Sequence, residues 1–206
     1  MGRHVDVTIL HPAQPITILT SDHKIWEQIA DITSTAIGDP GYMHLLSMYR
    51  TSQISRRNQL ISLRLVDYRI SQYALILESA AHLYGFEKTT KNEEAAIPVR
   101  KFLKALGLYE PMQRLAQEIG ISIRDKNYRS QDGLVILYWI RNRVVHKGHV
   151  PQEERDGFGH PLVVTPQFDR QLEACYQRLV QAVLSTLPYK ILAGSIANSS
   201  VIIGGS

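Results

Sequence analysis

The chain has 206 residues, 44% of them hydrophobic and 20% charged, with a net charge of +4. That composition suffices to bury a core and excludes a chain disordered throughout, and the length suggests one domain with short appendages. The single cysteine, Cys175, excludes an intrachain disulfide and a cysteine-based zinc site.

Residues 1–20 read as extended. Val5, Val7 and Ile9 alternate with polar residues, the segment 11–15 is turn-like, and Ile16 and Ile18 resume the alternation, a pattern that suggests a two-strand hairpin. Ser21 or Asp22 is a candidate cap for a helix reaching Ala36, with Ile25, Ile29, Ile32 and Ala36 on one face. Gly38, Asp39, Pro40 and Gly41 then break the chain. Residues 53–84 contain neither Gly nor Pro and place Leu60, Leu63, Tyr73, Leu77, Ala80, Ala81 and Tyr84 at helical spacing. They predict one helix of ~48 Å, stopped by Gly85. After a polar loop, helices are expected over 98–106, stopped by Gly107, and from Pro111 to just before Gly120. Residues 121–130 are basic and irregular. Ser130 is the expected cap of a helix over 131–146, with Gly148 as its end. A Pro- and Gly-containing loop leads to a last amphipathic helix over 167–187, carrying Leu172, Tyr176, Leu179, Val183 and Leu187, with Pro188 after it.

Together these elements predict an all-α protein, an antiparallel helical bundle of about five helices with short extended N- and C-terminal segments. The expected divisions are an extended segment over 1–20, a helical domain over 21–187 and a small apolar tail over 188–206. No stretch approaches the ~18 apolar residues of a membrane span, and the N-terminus lacks the continuous apolar region of a signal peptide. A cytoplasmic protein without membrane contact is expected. Charge is distributed unevenly: residues 100–149 hold ten Lys and Arg against four Asp and Glu, while the remainder is slightly acidic. A basic segment of this kind is either a solvated face or a nucleic-acid footprint.

One stretch carries chemistry: Tyr138, Trp139, Ile140, Arg141, Asn142, Arg143, Val144, Val145, His146, Lys147 and Gly148. Asn142 and His146 are an i,i+4 pair that projects from one helical face, and Arg141 borders that face. A neutral imidazole can take the proton of a ribose 2′-hydroxyl near pH 7. A guanidinium can hold two phosphoryl oxygens at once as negative charge builds on them, and an amide can orient either group. The same residue types also serve a plain structural purpose, capping carbonyls and complementing the negative end of a helix dipole. Arg143, Lys147 and His149 are candidate phosphate contacts beside the site. His146, His149 and His160 fit no metal-ligand spacing, so neither a metal nor any other cofactor is expected. Glu78 lies among apolar residues of the long helix and either pairs with an arginine such as Arg141 or sits at the rim.

The segment from Arg141 to His146 resembles the Arg-x4-His motif of the HEPN superfamily, whose commonest form is Arg-Asn, three residues, then His. Its surroundings are similar too: an apolar helix ends in the motif, a glycine follows, and a loop leads to one more amphipathic helix. The segment from Leu75 to Ala81 resembles the family's core helix, so the likeness spans roughly residues 50–187, although only six of them are specific. HEPN domains are small helical bundles that commonly dimerise across a shared cleft, and many are endoribonucleases of toxin–antitoxin, abortive-infection or CRISPR-associated systems. The resemblance implies catalytic roles for Arg141 and His146 with support from Asn142, RNA as substrate, a homodimer, and an antitoxin or defence-system partner protein. It also implies products with a 2′,3′-cyclic phosphate and a 5′-hydroxyl. One subgroup of toxins carries a tyrosine two residues beyond the motif histidine, which a partner enzyme modifies; Gly148 stands there in this chain, which puts that form of control in doubt. Two rival readings accompany this one: a catalytically silent HEPN module that binds RNA or a nucleotide, and a helical dimerisation scaffold.

Overall fold

The computed structural model describes residues 7–10, 15–18, 23–58, 63–88, 96–118, 132–148 and 166–196. Two short strands, β1 (Val7–Leu10) and β2 (Pro15–Ile18), pair antiparallel with Val7 opposite Ile18 and Leu10 opposite Pro15. Seven helices follow among the described residues: α1 (His23–Gly38), α2 (Pro40–Asn58), α3 (Leu63–Leu83), α4 (Ala96–Leu106), α5 (Glu110–Glu118), α6 (Gly133–Lys147) and α7 (Pro166–Leu192). The all-α bundle is as expected, with seven helices in place of about five. None of them is long and apolar enough to cross a membrane. The expected caps Ser21, Asp22 and Ser130, and the end of the tail from 197 onward, lie outside the described residues.

The long helix expected over 53–84 is two elements. Gln53 Nε2 of α2 donates to the Tyr73 hydroxyl of α3 at 3.4 Å, whereas a continuous helix would hold those residues ~30 Å apart. The Tyr84 hydroxyl likewise reaches Asp39 Oδ1 at 3.3 Å. The two contacts join the end of α3 to the start of α2 and the middle of α3 to the later part of α2, so the helices run antiparallel. The break at 38–41 is also a start: Asp39 Oδ1 accepts the Tyr42 amide at 2.8 Å, and Pro40 occupies the first helical position, where its missing N–H costs nothing.

The core is built on α3, α6 and α7. On α3, Tyr73, Ala74, Leu77, Ala80 and Ala81 are buried; on α7, Tyr176, Val180, Val183, Leu184 and Leu187 are. Pro188 is buried inside α7, which continues to Leu192 past the expected stop. A proline removes one backbone hydrogen bond, but the apolar face of α7 stays seated across it. Leu134, Val135, Ile136, Leu137, Tyr138, Trp139 and Ile140 of α6 are all buried, as befits a helix apolar on every side. It packs against α3, α4 and α5.

Both ends of α6 are fastened. Asp132 is the N-cap: Oδ1 accepts the Val135 amide at 2.9 Å, while Oδ2 accepts Arg100 Nη2 at 2.9 Å and the Tyr109 hydroxyl at 2.6 Å. The Tyr176 hydroxyl donates to the Gly133 carbonyl at 2.7 Å. At the far end Gly148 adopts φ 77°, a left-handed conformation suited to glycine, and its N–H closes on the Val144 carbonyl at 2.8 Å. Gly133 is held by close approach, since a Cβ there would lie 2.8 Å from Leu115 Cδ2 and 3.1 Å from the Met112 carbonyl oxygen. Gly133→Ala is therefore expected to cost ~1–3 kcal/mol by overpacking. A thermal melt checks it, with a fall of about 3–10 °C.

Candidate functional site

α6 passes from core to surface within its last two turns. Ile140 is buried; Arg141, Asn142 and Arg143 are half-buried; Val144 is buried; Val145, His146, Lys147 and Gly148 are exposed. The apolar run Leu134–Ile140 draws the helix into the bundle, and the polar run that follows cannot enter it. At about 100° per residue, Arg141, Val145, Tyr138, Asn142 and His146 span roughly 140° of one side of the helix.

Arg141 sits in a small polar knot. Its Nη1 donates to Asn142 Oδ1 at 3.2 Å and its Nη2 to Glu78 Oε2 at 3.4 Å, an ion pair between two side chains about a quarter exposed. Of the two placements considered for Glu78, the structure has the pair with Arg141. Arg141 Nε is buried and unpaired among the described residues, as is the Tyr138 hydroxyl. Burial first, and the neighbouring Glu78 carboxylate second, push the Tyr138 phenol well above its usual range, with Arg141 opposing. Tyr138 therefore stays protonated at any physiological pH. Sequence reasoning assigned it no role, although it precedes Arg141 by three residues and Asn142 by four, and so shares their side of the helix.

The three candidate phosphate contacts separate. The Arg143 guanidinium stacks over the Trp139 ring at 4.6 Å, and about 200° of rotation along α6 puts it on the other side from Arg141. Lys147 is exposed on the last turn. His149 lies outside the described residues, as does His160. The basic character of residues 100–149 does not form one face among the described residues. Arg100 is neutralised by Asp132, and Lys104 Nζ lies 5.1 Å over the Tyr109 ring. These groups gather at the start of α6, about 14 Å along its axis from Arg141 and about 21 Å from His146.

Residues 133–140 of α6 are buried within the chain, and its exposed and half-buried surface begins at Arg141, with Val144 the one buried residue beyond it. Among the described residues, no group of three or more His, Cys, Asp or Glu side chains is placed to hold a metal ion.

The arrangement thus offers an exposed imidazole, a half-buried guanidinium and an amide at one surface, on a helix anchored in the core. The chain matches no protein-family model, no characterised protein and no solved structure.

Proposed function

We propose that the chain is a HEPN-type endoribonuclease that cleaves RNA without a metal, as a cytoplasmic homodimer in a toxin or antiviral-defence system. The observation that carries this reading is the presentation of Arg141, Asn142 and His146 together at the emerging end of α6. The ribose 2′-oxygen attacks the adjacent phosphorus and the P–O5′ bond breaks. His146 accepts the 2′-OH proton, Arg141 holds the phosphoryl oxygens as charge develops, and Asn142 orients the guanidinium it already touches. The leaving 5′-oxygen needs a proton of its own, which a second copy's histidine across a two-fold axis would supply.

The test is incubation of the purified protein with single-stranded RNA in EDTA. Cleavage to fragments ending in a 2′,3′-cyclic phosphate and beginning with a 5′-hydroxyl is expected. An active protein that remains monomeric at micromolar concentration would remove the shared-cleft part of the reading.

One observation favours the silent, RNA-binding module as the second reading: Arg141 already has a carboxylate partner in Glu78. Salt-dependent RNA binding without cleavage would select it.

A further inference from the structure

Among the described residues, two arginine–glutamate pairs cross from α3 to its neighbours, and they differ in kind. Arg69 and Glu173 form a two-pronged contact at 2.7 and 2.8 Å, with side chains 10% and 4% exposed. Such a pair has no reason to open. Arg141 meets Glu78 through one nitrogen at 3.4 Å, with both side chains about a quarter exposed. A single long contact at a wet surface is weak and is easily exchanged for a better anion. A phosphodiester is that anion, because it can take both prongs of the guanidinium. The carboxylate left behind would then be a half-buried charge facing an approaching negative backbone, which is costly unless it finds a donor. The Tyr138 hydroxyl is such a donor: it is buried, makes no hydrogen bond of ordinary length among the described residues, and already lies near enough to the Glu78 carboxylate to be raised by it.

Resting on the nuclease reading, we propose that Glu78 is a positioning residue that holds Arg141 at the cleft mouth until RNA arrives, then yields it to the phosphodiester and is itself received by the Tyr138 hydroxyl. The exchange keeps the guanidinium from swinging into solvent in the free protein and makes its release conditional on a stronger, two-pronged acceptor. Weak single anions are thereby disfavoured against a phosphodiester.

The experiment is a double-mutant cycle on the full chain. The probe is a short single-stranded RNA carrying 2′-O-methyl groups, which cannot be cleaved; unmodified RNA is used for turnover. Glu78→Gln is expected to bind the probe about three- to tenfold more tightly at low salt, because a competing charge is gone. Arg141→Ala should abolish the binding gain. Tyr138→Phe removes the receiving hydroxyl. It should bind the probe more weakly than the parent when Glu78 is present, and no more weakly when position 78 is Gln. If the parent binds and cleaves RNA but Glu78→Gln is indistinguishable from it, the proposal falls and the nuclease reading stands. Equal effects of Tyr138→Phe in both backgrounds would also overturn it. A folded parent that neither binds nor cleaves RNA overturns both together.

Discussion

His146→Ala is expected to slow single-turnover RNA cleavage by ~10²–10⁴-fold, the usual worth of a positioned proton-transfer group, while shifting the melting temperature by less than about 2 °C. The second half of that expectation follows from placement. His146 is exposed on the last turn of α6, where a histidine contributes at most a small dipole term. Arg141→Ala should cost ~10²–10³-fold through lost charge stabilisation. It also opens the Glu78 pair, which at quarter exposure is worth about 1 kcal/mol or less. Arg141→Lys should recover only part of the rate, since an ammonium lacks the two-pronged geometry. Lys147→Ala should weaken RNA binding and flatten its salt dependence while sparing the chemical step. Arg143→Ala should behave differently from Lys147→Ala, because it also removes the stack on Trp139, worth roughly 0.5–1 kcal/mol. Cleavage rates and melting curves for the five variants separate these cases. A His146→Ala protein that cleaves at the parent rate would end the catalytic assignment; one that melts far below the parent would restore the capping role.

The largest effect on stability is expected at Glu173. Its carboxylate and the Arg69 guanidinium share two short hydrogen bonds in the interior between α3 and α7. The hydrogen bond to Glu173 raises Arg69 above its ordinary range against the opposing effect of burial; without that partner the guanidinium still stays charged, because arginine does not deprotonate in a protein. Glu173→Ala leaves that charge buried and uncompensated, at a cost of ~3–5 kcal/mol, or about 6–20 °C in melting temperature. Replacing both partners at once, with Arg69→Met and Glu173→Leu, should return most of that loss, because two desolvated charges are exchanged for packed hydrocarbon. If the double variant melts as low as Glu173→Ala, the pair contributes more than charge compensation.

How legible these features were in the chain depended on how local their physics is. The apolar run Leu134–Ile140 followed by Arg141 and closed by Gly148 could be read directly, because one helix and its stop are short-range matters. The sequence reading put the cap of that helix at Ser130, and it lies at Asp132: both residues can cap, and the choice lies with Arg100 and Tyr109, more than twenty residues earlier, which converge on Asp132. α2 went unnoticed because its buried stripe is narrow and uses Tyr42, Leu45, Tyr49 and Ser52, two of which carry the polar phenol. The split between α2 and α3 was hidden because nothing between Gln53 and Tyr84 is a glycine or proline; only a contact such as Gln53 to Tyr73 reveals it. At the site, residue types and spacing pointed to Arg141, Asn142 and His146. The stacking of Arg143 on Trp139 and the unpaired Tyr138 hydroxyl are products of packing.

The abrupt passage of α6 from enclosed to exposed has a consequence for motion. Amide protons in its first two turns can reach solvent only when the whole bundle opens, whereas those beyond Val144 can exchange by fraying of one turn. Deuterium uptake along this helix should therefore rise steeply across Arg141–Val145. His146 then sits on the part of α6 that rearranges without drawing on the stability of the fold, Arg141 and Asn142 stand at its boundary, and the seven apolar residues before them keep that turn aimed at the same point on the surface.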